Sequence, residues 1–438
     1  AAAAFPALLI RDIKVTNASL TYIDEALSPR FELSAEHLDL SVRNFSLTDV
    51  FDMALKAAVF SSAQDIDAVL HVKLDLLKPG VQLTDVKITI DRSKIQVARL
   101  VEALPMLKPV GLKDPLKGVV KITSTEISAG VKGLVALKAE AALENGNFLS
   151  TLLPVELENI SAKILLDEKN IELKEFKAGF AGGAVTGTAM VKDYLSAMAI
   201  SGVFKAEGVN TEKVLAPYKL PLAVTGKAFV DATFKAAGTA PVQIVASFEA
   251  TATADVRDGA LKGGSPLKIA LSSIPMLPDL WGSIEADLPP ETQADAQSGV
   301  TQIESCHVEA HVKGMTATLD KATLVTRDFS ANVTGMIDLP DELDLKAAVY
   351  IQPKLAAVLT AKVPDLAALK DDDARVYLPM TITGAMTRPG VQPDMKYLSK
   401  KLIMSRGKNE IQKVLGNGPE AQAVGQAVDA LFGILQKK

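Results

Sequence analysis

Apolar and polar residues alternate with a period of two along most of the chain, the pattern of strands with one apolar and one polar face. In DVKITID, Val86, Ile88 and Ile90 point one way while Lys87, Thr89 and Asp91 point the other. ANVTGMIDL repeats the pattern: Ala331, Val333, Gly335, Ile337 and Leu339 oppose Asn332, Thr334, Met336 and Asp338. VQIVASFEA reads as a further strand, Val242, Ile244, Ala246 and Phe248 sharing a face and Val245 being the one exception. Within such strands a triplet recurs, VTG at 185–187, 224–226 and 333–335 and ITG at 382–384. Its glycine falls on the apolar face, where a missing side chain permits a bend or a close approach.

Helical periods are rare and short. Ser93 is placed to cap KIQVARLVEAL, whose Val97, Leu100 and Leu104 form one face before Pro105 ends it. Asn210 is placed to cap TEKVLA, and DLAALK at 365–370 makes a third helical piece. After each comes a similar strand entry, at Pro115-Leu116, Pro221-Leu222 and Pro379-Met380. This predicts a degenerate repeat of several strands and one helical crossover: a first repeat over 1–114 with its helix near 93–104, a second over 115–220, a third over 221–378 with a helical insertion near 273–302, and a final strand with a C-terminal helical cap over 379–438. Many amphipathic strands with few helices leave a large apolar sheet face, which a closed barrel, a sandwich or a ligand-filled gutter would each cover.

Composition narrows the choice. The 438 residues are 48% hydrophobic and 23% charged, so the chain is neither disordered nor a multispanning membrane protein. Aromatic residues make up only 5%, and the net charge is −5, which together argue against nucleic-acid binding through stacking platforms and a basic groove. The single Cys306 excludes an internal disulfide. No stretch of about 20 apolar residues spans a bilayer. The opening AAAAFPALLI is too short for a membrane helix and reads as the remnant after a removed anchor or signal segment, or as an artificial end.

Several stretches resemble the AsmA family of bacterial envelope proteins. IRDIKVTNASLTYID is similar to its strand pair with a Tyr-x-Asp-like ending, and GGAVTGTAMVKD and ANVTGMIDLPDELDLKAAV resemble its strand-Gly-strand unit. YLPMTITGAMTRPGVQPDMKYLSKK resembles its C-terminal ending through Pro379, Ile382, Gly384, Pro389, Val391, Pro393 and Asp394. The resemblance implies a mainly β fold, an elongated, curved, mostly antiparallel sheet forming a hydrophobic, taco-like groove, with short crossover helices and C-terminal helices. It also implies a periplasmic protein that moves phospholipid between inner and outer membranes, held to the inner membrane by an anchor absent from this chain, with partners among envelope proteins. About 25 strands at ~4.8 Å would make a trough on the order of 100 Å long. Its expected floor includes Ile88, Ile90, Val120, Ile122, Val242, Ile244, Val333, Ile337, Val349 and Ile351. The rival expectation is a structural or assembly factor in outer-membrane biogenesis whose sheet is closed.

Catalytic signals are weak. His307, Glu309 and His311 alternate in ESCHVEAHVKG, with Cys306 on the other face; the choice is between metal ligands and the solvated face of one strand. Asp371, Asp372 and Asp373 read as a solvated turn, and GFAGGAVTG around Gly182 and Gly183 as a hairpin turn. No nucleophile with a base, phosphate loop or paired-cysteine motif appears, so the expectation is a non-enzymatic protein without cofactor. In MLPDLWGSIEADLPP, Leu280, Ile284 and Leu288 share a helical face beside Trp281, suited to a membrane interface, a groove plug or packing on the sheet. Lys396, Lys400, Lys401, Arg406, Lys408 and Lys413 face one acid, Glu410, with Tyr397, Leu398 and Leu402 beneath; Val424, Val428, Leu431 and Leu435 make a further helix. These suit anionic headgroups, a partner, or a cap on the last sheet edge.

Overall fold

A computed structural model describes residues 8–24, 31–131, 133–274, 284–339 and 341–401. Of these residues 59% are in strands and 19% in helices, so the fold is mainly β, with twenty strands in one antiparallel sheet. The first and last strands each pair on one side only, and the sheet does not close. Contacts divide the chain into two compact units, Ala1–Pro217 with Lys227–Ala252, and Tyr218–Gly226 with Thr253–Lys438. The first two expected repeats therefore share unit 1, while most of the third and the final segment form unit 2.

Unit 1 begins with β1 (Leu9–Asp24), β2 (Phe31–Ser46), β3 (Phe51–Ala58), β4 (Ile66–Asp75), β5 (Gly80–Asp91) and β6 (Val119–Gly130). It continues through β7 (Gly133–Phe148), β8 (Leu157–Asp167), β9 (Ile171–Phe180), β10 (Gly183–Lys192), β11 (Met198–Asn210) and most of β12 (Ala223–Gly238). From β1 to β12 each strand pairs with the next, an up-and-down meander. Local chemistry sets the turns. Between β9 and β10, Ala181 and Gly182 both take positive φ, 49° and 85°, as a two-residue hairpin matched to strand twist requires.

The helices need three corrections. Residues 92–94 form a short 3₁₀ turn capped by Asp91, whose carboxylate accepts the N–H and hydroxyl of Ser93 at 3.1 and 2.6 Å. Ser93 is thus a donor to the cap; α1 (Val97–Ala103) starts later, its first N–H given to Asp114 at 3.1 Å. Asn210 does cap α2 (Thr211–Leu215), accepting from Lys213 N–H at 3.1 Å. Residues 241–247 are not a strand. They form α3 (Pro241–Ser247), because proline has no N–H for a ladder yet is pre-set for a helix's first turn. Pro379, the third expected strand entry, lies inside β19 (Val376–Ala385).

Unit 2 contains β13 (Glu249–Lys262, begun in unit 1), α4 (Pro266–Ser272), α5 (Pro290–Ser298), β14 (Val300–Ile303), β15 (Ser305–Lys313), β16 (Thr316–Val325), β17 (Phe329–Asp338), β18 (Glu342–Ile351), α6 (Pro353–Lys362), β19 and β20 (Gly390–Pro393). Its core joins sheet to helices: Phe329, Ile351, Val376 and Leu378 pack in one buried cluster with Leu271, Leu355, Leu359 and Leu369. Fully burying one such side chain contributes about 1.5–3 kcal/mol. Unit 1 differs. Its cluster, around Val42, Phe51, Leu70, Val72 and Val86, is drawn from neighbouring strands of the meander alone.

Candidate apolar floor and polar outer face

Register places one residue from each of β1 to β12 in a single row. Val15 faces Leu40, Leu40 faces Leu55, Leu55 faces Ala68, and Ala68 faces Ile88. Ile88 faces Ile122, which faces Ala141, followed by Ile164 and Leu173. Ala189 and Gly202 carry the row to Phe234 on β12. No polar side chain interrupts it. At ~4.8 Å per strand the row is about 50 Å long. Apart from exposed Val15 and buried Ala68, every member is half-buried, sheltered by its neighbours but still reached by solvent.

The opposite face carries cross-strand ion pairs. Lys56 meets Asp67 at 3.3 Å, Lys121 meets Glu144 at 2.8 Å, Lys163 meets Glu140 at 3.0 Å, and Lys205 meets Asp231 at 2.7 Å. Exposed pairs add little stability. Their effect is to keep that face wetted, which leaves the apolar side as the one available to an apolar ligand.

At the far end of the row four aromatic rings line up. Phe176, Phe204, Phe234 and Phe248 follow one another with ring centroids 6.3, 5.4 and 6.4 Å apart. The glycines beneath make room for them. A Cβ at Gly187, in the first VTG triplet, would lie 2.5 Å from Phe204, and one at Gly202 would lie 2.4 Å from Phe234. In the VTG of β17 the cause is different: Gly335 has φ +136°, and a Cβ there would lie 2.3 Å from the Asp344 carbonyl oxygen.

Of the expected floor residues, Ile88 and Ile122 sit in the row, and Ile90 faces Val120 beside it. Val333 and Ile337 lie half-buried on the apolar face of β17, opposite Ala347 and Leu343. Val349 packs on the unit 2 core, and Ile351 is fully buried within it. Ile351 is therefore closed core, not an open lining. Val242 and Ile244 are corrected as well: they lie on α3, off the ladder. Alternation passed over Ile164 and Phe204 although ISAKILLD and AISGVFKAEG carry it, and Leu173 and Phe234 as well, whereas Ala68, Ala141 and Ala189 give too little hydrophobic contrast to stand out.

A cavity of about 1070 Å³ opens at the turns between β4 and β5 and between β6 and β7, lined in part by Leu74, Leu76, Leu77, Val81, Val131 and Val135. Leu74 and Val81 also pack on the unit 1 cluster. A second, of about 580 Å³, lies along β5 to β10 beside Val86, Ala139 and Leu166.

The alternating histidines are taken up by carboxylates. His307 Nδ1 lies 2.8 Å from Asp255 and its Nε2 3.3 Å from Glu309, and His311 Nδ1 lies 2.9 Å from Asp320. Among the described residues no group of three or more His, Cys, Asp or Glu side chains is arranged to hold a metal ion. The hydrogen bond to Asp255 raises the His307 pKa above the ordinary histidine value, and burial raises that of the Cys306 thiol. A raised histidine pKa stabilises the fold below the unfolded value, and the contribution is lost as pH rises through the folded one. NMR titration is expected to place the His307 midpoint above ~6.5, and Asp255→Asn to lower it; a midpoint unmoved by that substitution would refute the pairing.

Asp371 and Asp373 close a turn through Arg375, each 2.8 Å from its guanidinium. Ile284 and Leu288 are buried in the unit 2 core, and Leu280 and Trp281 lie outside the described residues. Leu398 is buried and Tyr397 meets Tyr377 edge-to-face, ring centroids 5.3 Å apart. Leu402, Arg406, Lys408, Glu410, Lys413 and the expected helix through Val424, Val428, Leu431 and Leu435 also lie outside the described residues. No described helix is long and apolar enough to cross a membrane. No protein-family model, curated protein or solved structure matches the chain.

Proposed function

We propose that the chain carries phospholipid on the apolar face of unit 1, without covalent chemistry or cofactor. The observation behind this reading is the uninterrupted apolar row from Val15 to Phe234 on a sheet that does not close. Aliphatic surface suits such cargo: covering it with acyl chain is worth roughly 25 cal/mol per Å² and demands no directional contact that would hold a lipid in place. The half-burial of the row agrees, since a floor must be sheltered from bulk water yet open to a chain. Membership of the AsmA family, a periplasmic location and transfer between inner and outer membranes belong to the same proposal and rest on the resemblance of the motifs quoted above.

The assembly-factor reading draws on unit 2, much of whose apolar face is covered by its own helices. In the combined proposal unit 2 is a structural module and unit 1 the carrier. Native mass spectrometry of gently purified protein, with lipid extraction of the same sample, tests this. Several phospholipids per chain are expected. A lipid-free chain that also refuses added fluorescent phospholipid would rule out the carrier and leave the assembly factor.

A further inference from the structure

In an antiparallel meander the connections after even-numbered strands share one end. In unit 1 that end carries an unusual set of tips. Val50 is 52% exposed, Leu77 76%, Val131 84% and Leu195 71%, on the turns after β2, β4, β6 and β10, and Val242, on α3 after β12, is 80% exposed. Turn tips normally hold Gly, Pro, Asn, Asp or Ser, for conformational reasons. A tip this exposed gains almost nothing from the fold for being Leu or Val, so its stabilising contacts must come from outside. Among the described connections at the opposite end, Leu152 at 65% and Tyr218 at 48%, the latter after β11, are the comparable residues.

Charge at this edge is arranged to match. Asp49 accepts the hydroxyls of Ser46 and Thr48, Asp75 the N–H groups of Leu77 and Lys78, and Asp167 those of Lys169 and Asn170. These carboxylates are engaged by their own turns. Lys73, Lys78 and Lys192 are exposed and make no ion pair among the described residues, unlike the paired lysines of the polar face; Asp193 and Glu126, which lines the same cavity as Lys73 and Lys78, are acids at this edge not so engaged.

We propose that this end of unit 1 seats on a phospholipid bilayer, its tips among the acyl chains and its unpaired lysines at the phosphates. Successive tips lie two strand spacings apart, about 10 Å, except where the β8–β9 turn lacks one. A fluid surface closes around each isolated tip. A folded protein partner would instead favour a clustered patch rich in Trp, Tyr and Arg. Lysine stems also reach past apolar surface to keep their ammonium groups at the headgroups. The cavity between Leu77 and Val131 is then the entry for a lipid tail; that clause rests on the carrier reading, whereas the docking does not.

Co-flotation of the full chain with vesicles of phosphatidylcholine and phosphatidylglycerol tests the docking. The wild type is expected to float. The Leu77→Asp/Val131→Asp variant should lose on the order of tenfold or more in bound fraction, while Leu152→Asp floats as wild type. Lys73→Ala/Lys78→Ala should lose only the salt-sensitive part of binding. A wild type that stays at the bottom, a double aspartate variant that floats undiminished, or a wild-type dimer in sedimentation that this variant dissolves would each overturn the proposal, the last by assigning the tips to a second copy. A wild type that carries no lipid yet floats leaves the docking standing and removes the carrier.

Discussion

Ile122→Glu is expected to cut the phospholipid load of the purified chain by on the order of tenfold while the chain stays folded. Ile122 stands in the middle of the apolar row, with Ile88 on one side and Ala141 on the other. It is half-buried, so in the empty protein a carboxylate there still reaches water, and the loss is chiefly part of the isoleucine's burial, about 1–2 kcal/mol. With lipid bound the same carboxylate lies under acyl chain with no cation beside it. That desolvation costs several kcal/mol and is borne by the loaded state alone. Lys121→Glu, on the wetted face, supplies the control: it breaks the contact with Glu144 and leaves loading unchanged. Native mass spectrometry reads the load and circular dichroism the fold. Undiminished lipid in the Ile122 variant would move the path elsewhere, and an unfolded variant would mean that the row is closed core.

Leu359→Ala is expected to destabilise unit 2 by about 2–5 kcal/mol, the cost of a lost side chain plus the cavity it leaves. Leu359 is fully buried on α6, in the same cluster as Ile351 of β18 and Leu378 of β19. Because sheet and helix share that cluster, the damage falls on both. Hydrogen exchange should show faster opening across β17 to β19, with β4 to β6 of unit 1 keeping their protection, since their cluster is separate. Lipid load should not change. A loss below about 1 kcal/mol, or equal loosening of both units, would contradict the division of cores.

The opposite fates of Ile122 and Ile351 mark the limit of reading alternation. The period of two in VKITI and KILLD is a local property of a strand, and it correctly placed Ile88 and Ile122 on one face. The same pattern in AAVYI placed Ile351 there too, yet Ile351 is sealed in a cluster with α6, which begins at Pro353, and with α4, far back in the chain. Alternation states which side is apolar and is silent on what covers it. Val242 and Ile244 failed for a nearer reason, as Pro241 outweighed a short alternating run that Val245 already broke. The His307 partner could not be read from ESCHVEAHVKG, because Asp255 comes from another strand, 52 positions away.

By itself, then, the sequence determined the β character, the two-faced strands, the Asn210 cap and the hairpin at Gly182, because each depends on residues within a few positions of one another. Only the tertiary structure decided that the apolar face of unit 1 forms one unbroken row whereas much of that of unit 2 is covered by helices. Register between strands and the packing of helices onto a sheet are tertiary contacts, and local patterns of polarity are compatible with either result.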